Sequence, residues 1–178
     1  MLFYNALTFV CYIPLLVTLI VFYRFTGLAF SDVSTLTADM IVTDADGEQW
    51  IRKHREKTDE LSSIPLLEIP RQILAKYSGH KKINGTGRLL PVLSNQRCNG
   101  YLKEIADLAG IPKKLTTHVA RHTFACMSLD NHVSIETISK MLGHANIKTT
   151  QTYAKMQDKT ISEDMVKMRR KFDSVVMA

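Results

Sequence analysis

His118-Val119-Ala120-Arg121, then Leu142-Gly143-His144, then Tyr153 nine residues after that histidine are the stretches on which the reading of this chain turns. A tyrosine with two histidines and an arginine at these intervals suits a site that passes a DNA phosphodiester to a phenol. A tyrosine hydroxyl can attack such a diester and hold the strand as a covalent ester, splitting one hard step into two reversible ones. No cofactor is needed for that exchange. The attacked phosphate gathers negative charge, and a guanidinium fork meets two of its oxygens better than an ammonium does, so Arg121 is the candidate fork. His118 and His144 can donate to the same oxygens or exchange protons near neutral pH. The leaving 5′-oxygen needs a proton, which a lysine on a loop can supply.

Spacing supports the grouping. No Pro or Gly interrupts Thr116 to Asn131, and helical periodicity puts His118, Arg121 and His122 on one face with Ala120, Phe124 and Met127 opposite. The polar trio is expected to face a ligand and the apolar trio the core. A second periodic stretch, Ile135, Ile138 and Leu142, stops at Gly143, a helix terminator. His144 then lies just past a helix end. Thr149 or Thr150 is expected to cap a short helix carrying Tyr153.

At these residues a resemblance becomes plain. LTTHVARHTFA, MLGHANIKTTQTYAK and the earlier FTGLAFSDVSTL resemble the catalytic domain of the tyrosine recombinase, or phage-type integrase, family, and most of all the integrases of Bacteroides-type mobile elements. The likeness runs from about Leu19 to Phe172, with its blocks in the family's order. It implies site-specific DNA cleavage and rejoining, with Tyr153 as nucleophile and His118, Arg121 and His144 activating the phosphate. It also implies that the family's β-hairpin lysine is Lys57, with Lys53 and Arg55 as neighbours on the same segment. Arg52, Lys53, Arg55 and His122 are the candidate DNA contacts. The implied partners are double-stranded attachment sites and further recombinase protomers, four together on DNA. No cofactor, metal or membrane is implied.

Two departures stand out. The family places an arginine directly after Thr-Gly-Leu, whereas Ala29 follows Thr26-Gly27-Leu28 here. A lost donor of this kind commonly costs about 100- to 1000-fold in rate, unless Arg24 or Arg55 compensates. The family also carries a helical DNA-binding domain ahead of the catalytic one. At 178 residues the chain is expected to form one catalytic domain, a clamp with one jaw missing that holds DNA weakly. Net charge +6 and a pI near 9.3 nonetheless favour a polyanionic partner.

The expected class is α+β, mainly α, with one small antiparallel sheet. Residues 1–18 form an apolar segment and 19–178 the catalytic domain with a helical tail. Met1 to Tyr23 holds no charged residue, and its length would suit a membrane span. Pro14, the lack of a basic flank and the fit of Leu19 to Leu28 to a buried helix favour a core helix instead, with residues 1–18 as an aberrant beginning on a truncated gene. Met40-Ile41-Val42 and Gln49-Trp50-Ile51, joined by a turn-rich segment, and Leu61 to Leu66 read as three strands, leaving Lys57 near a turn. Pro70 is expected to open a helix over Arg71 to Lys76, Ser78 to Arg88 an exposed loop, and Asn95 to Ala109 another helix ended by Gly110 and Pro112.

Competing sites fail on count. Cys11, Cys98 and Cys126 are isolated, so neither zinc spacing nor a disulfide framework is visible, and reduced thiols in a cytoplasmic protein follow. His118 and His122 lack the Glu of a His-Glu-x-x-His metal motif, since Val119 stands there. Three functional readings remain: an active recombinase, a remnant that only binds DNA or a full-length partner, and a type IB topoisomerase sharing the chemistry. In the tail, Ile161, Met165, Met168 and Phe172 form an apolar stripe that can dock on its own domain or a neighbour's.

Overall fold

A computed structural model describes residues 2–154, with side chains from residue 12 onward, and residues 165–166. Helix α1 covers Leu2–Thr26, crossing the expected boundary at Thr18 without a break. Pro14 removes one backbone bond inside it, and Thr18 Oγ1 donates to the Pro14 carbonyl at 2.7 Å. Leu15, Leu16, Leu19, Phe22 and Tyr23 are buried. Among the described residues no helix is long and apolar enough to cross a membrane. From Leu15 to Tyr23 the run thus supplies side chains to the core, although Val17 is exposed.

Helix α2 (Phe30–Ser34) follows the Thr26-Gly27-Leu28 turn, and strands β1 (Ile41–Thr43), β2 (Gln49–His54) and β3 (Leu61–Pro65) form an antiparallel sheet in that order. Ile51 pairs with Ile64 and Lys53 with Ser62, which puts four buried side chains on one face of the sheet. Helix α3 is Glu68–Tyr77, so it begins before the expected Arg71, and Pro70 sits within its first turn, where a missing N–H costs nothing. The expected loop over Ser78–Arg88 is mostly exposed, although Ile83 turns inward.

Helices α4 (Asn95–Leu108), α5 (Thr117–Asp130), α6 (Ile135–Leu142) and α7 (Ile147–Ala154) complete the described fold. Ser94, Thr116 and Ser134 each accept the backbone N–H three residues on, capping α4, α5 and α6. The larger core gathers α1, the sheet and α3 with Ala120. A smaller one consists of Phe124, Ala125, Ile138, Leu142 and Tyr153. In the tail, Met165 is exposed, whereas Ile161, Met168 and Phe172 lie outside the described residues.

Candidate active site

Helix α5 carries the arginine. Periodicity put Arg121 outward with His118 and His122, but it is 3% exposed and shares the buried side with Thr117, Ala120, Phe124 and Ala125. Its burial is tolerated because its charge is well hydrogen-bonded. Nη1 donates to the Gly27 carbonyl at 2.6 Å, and Nη2 to the Leu142 carbonyl at 2.6 Å and His144 Nε2 at 3.1 Å. Gly27 must be glycine for this. Its φ is +65°, and a Cβ would run into the Phe124 ring. His118 remains exposed on α5, its Nε2 2.9 Å from His122 Nε2.

Helix α6 ends at Gly143 in the left-handed conformation, φ 59° and ψ 47°, and this aims His144 back at Arg121. The His144 Nε2 lone pair accepts from Arg121, so its proton sits on Nδ1, 2.8 Å from Thr150 Oγ1. Helix α7 is capped by neither expected threonine. Asn146 Oδ1 accepts the Lys148 N–H at 2.9 Å, so the helix begins earlier and Thr150, fully buried, is free to orient His144. Tyr153, three residues further along α7, is 4% exposed. Its ring meets His122 edge-on at 4.9 Å and lies nearly parallel to His144 at 6.5 Å. Tyr153, His144, His122, His118 and Arg121 are thus brought together within one chain.

The β2–β3 hairpin adds a second guanidinium. Arg55 leaves the end of β2, donates from Nη1 to the Gly143 carbonyl at 3.0 Å, and has Nε 3.7 Å from Asp32 Oδ2 in α2. Asp32 Oδ1 accepts the Glu56 N–H at 3.0 Å, and Glu56 Oε1 accepts from Thr35 and Lys53. Lys53 is buried in that ion pair, while Arg52 and Lys57 are exposed, Lys57 in the turn itself. Arg24 points elsewhere, with Nε 3.1 Å from Met127 Sδ. Asp32 and Thr150 are structural partners of the site that motif reading left unassigned. A carboxylate inside the quoted FTGLAFSDVSTL block was the available signal for the first.

The electrostatics follow from this crowding. Burial, then the charge of Arg55, lowers the Arg121 pKa to about 10, so it stays cationic at neutral pH. Burial, then Arg121 and Arg55, lowers His144 to about 4. Burial lowers His122 as well, helped by His118 and Arg121. Burial raises the Tyr153 phenol, and Arg121 and Arg55 partly offset it. The arrangement can therefore receive an oxyanion beside a protonated phenol.

Comparison with known proteins bears on what that oxyanion is. The phage integrase family matches residues 14–160. Tyrosine recombinase XerD of Halalkalibacterium halodurans is 42% identical over 142 residues, which are 72% of this chain and 45% of that protein. The chain thus spans less than half the length of that curated relative. The crystal structure of XerA recombinase is similar with a TM-score of 0.62 and 27% identity over 82% of this chain and 55% of that one. XerH site-specific recombinase bound to palindromic difH substrate shares the fold with a TM-score of 0.65 and 18% identity over 85% of this chain and 44% of that one.

Proposed function

We propose that this chain, which belongs to the phage integrase family, cleaves and rejoins DNA strands at specific sites through a 3′-phosphotyrosyl bond to Tyr153. The observation that carries this reading is the seating of the Tyr153 ring between His144 and His122, in the cluster that holds Arg121. The phenol oxygen attacks the phosphorus, the bond to the 5′-oxygen breaks, and that oxygen takes a proton and leaves as a hydroxyl. Attack by a 5′-hydroxyl on the phosphotyrosyl ester reverses the step and frees the phenol, so bond energy is conserved without a cofactor.

Arg121 supplies charge-assisted hydrogen bonds to the non-bridging oxygens, where a preorganised donor is worth most. His118, exposed at the rim, donates alongside it. An arriving phosphate offsets the neighbouring guanidiniums and raises the His144 pKa, so that Nε2, which accepts from Arg121, takes up a proton and donates to the same oxygens. Lys57 on the hairpin turn supplies the proton to the 5′-oxygen. Arg52 and the positive surface around the hairpin hold the flanking duplex. The partners are attachment-site DNA and further recombinase protomers, assembled as a tetramer to integrate or excise a mobile element in the cytoplasm, on the bacterial nucleoid.

Ala29 favours a second reading, a remnant that binds DNA without cutting it. One experiment separates the two. The protein is incubated with a pool of nicked duplexes randomised on both sides of the nick, and covalent products are isolated under denaturing conditions and mapped by mass spectrometry. A phosphotyrosyl adduct at Tyr153, lost in Tyr153→Phe, is the expected result. Absence of adduct, with duplex binding retained, supports the remnant.

A further inference from the structure

Position 29 offers no donor, and Arg24 is turned toward Met127. Arg55 approaches the same place from the hairpin. Its Nε faces Asp32 at 3.7 Å, in the short helix that starts one residue after Ala29. Its Nη1 holds the Gly143 carbonyl at 3.0 Å while Arg121 Nη2 holds the preceding carbonyl, that of Leu142, at 2.6 Å. Two guanidiniums are thus fastened to successive carbonyls of one turn, directly before His144. Resting on the reading above, we infer that Arg55 is a catalytic residue, the second cation on the reacting phosphate, doing from the hairpin what an arginine at position 29 would do.

Three further observations support the assignment. Arg55 Nη2 makes no hydrogen bond to any described residue, so the fork keeps donors for a ligand. Asp32 is the only acidic side chain among the described residues within ion-pair distance of Arg55, and Arg121 has none, so the pair of arginines leaves net positive charge for an anion to neutralise. Gly143 clears the route, because a Cβ there would lie 2.6 Å from Arg55 Cδ and 2.5 Å from Ser62 Oγ. The charge of Arg55 also reaches each neighbour, lowering Arg121, His144 and Tyr153.

The test uses the full chain and two readouts: the rate of trapping on the nicked-duplex pool, and the affinity for orthovanadate, a mimic of the pentacoordinate phosphate, by isothermal titration calorimetry. Arg55→Ala is expected to slow trapping about 100-fold, as loss of one such donor does, and to weaken vanadate about tenfold. Ala29→Arg in the same chain restores most of both, although it cannot restore the bond to Gly143. Arg55→Lys, which keeps the charge on a flexible stem, falls between and guards against loss of fold. Trapping by Arg55→Ala at the wild-type rate overturns the inference and leaves the Tyr153 reading standing. Slowed trapping with unchanged vanadate affinity and no rescue by Ala29→Arg also overturns it, since Arg55 then only positions the hairpin. If the wild-type chain traps nothing, the Tyr153 reading fails; weaker vanadate binding by Arg55→Ala then retains Arg55 as an oxyanion ligand, and unchanged binding removes it.

Discussion

His144 is neutral, with its one proton on Nδ1, because Arg121 donates to its Nε2 and its pKa is near 4. An ordinary histidine titrates near 6.5, so the unfolded chain takes up the second proton first. Its contribution to stability is complete above about pH 6.5 and is lost as the pH falls through about 4. Chemical denaturation of the wild type and His144→Gln across that range should show the wild type losing ground only on acidification; a constant difference between them would remove the coupling. Arg121 and His144 were legible as a pair because motif spacing is written in side chains. The burial of Arg121 was not, because its acceptors are the carbonyls of Gly27 and Leu142, groups that every residue carries. Periodicity therefore assigned a polar side chain to the outer face when the backbone had already solvated it.

Helix ends show the same division. Gly143 announced the end of α6, since a glycine past a periodic run has a residue-specific signature, whereas the Thr116 hydroxyl that caps α5 was not singled out. At α7 several cap-formers compete, and Asn146 wins because its turn leaves Thr150 buried against His144. Asn146→Ala is expected to cost about 1 kcal/mol through the lost cap, read as a lower urea midpoint. It should also lower trapping, since the helix it starts carries Tyr153. A cost confined to stability would separate the cap from the site. The hairpin was visible as alternating strands, and the structure pairs β2 with β3 as that pattern requires. The ion pair between Arg55 and Asp32 was not visible, since two residues far apart in sequence meet only once α2 and the sheet are packed.

At the scale of the molecule, the site lies where the two cores touch. Gly27 ends α1, whose side chains build the larger core, and its bare Cα rests against Phe124 of the smaller one. Gly27→Ala combines a side chain at φ +65° with overpacking and is expected to cost about 2–4 kcal/mol, measured by thermal or urea unfolding. Stability unchanged by the added methyl would mean that Phe124 moves aside freely. The family and the mainly helical class could be read from three sequence blocks. How far α1 extends could not, because an apolar run long enough for a membrane is also what a helix needs when α3, α4 and α5 pack around it. Tyr153 belongs to the smaller core, packed with Phe124, Ile138 and Leu142. If its oxygen becomes the attachment point for a cut strand, the 3′ end is moored to the interior of the fold and cannot swing. The travelling partner in an exchange is then the free 5′ end, and the fold serves as the fixed anchorage past which that end must be passed.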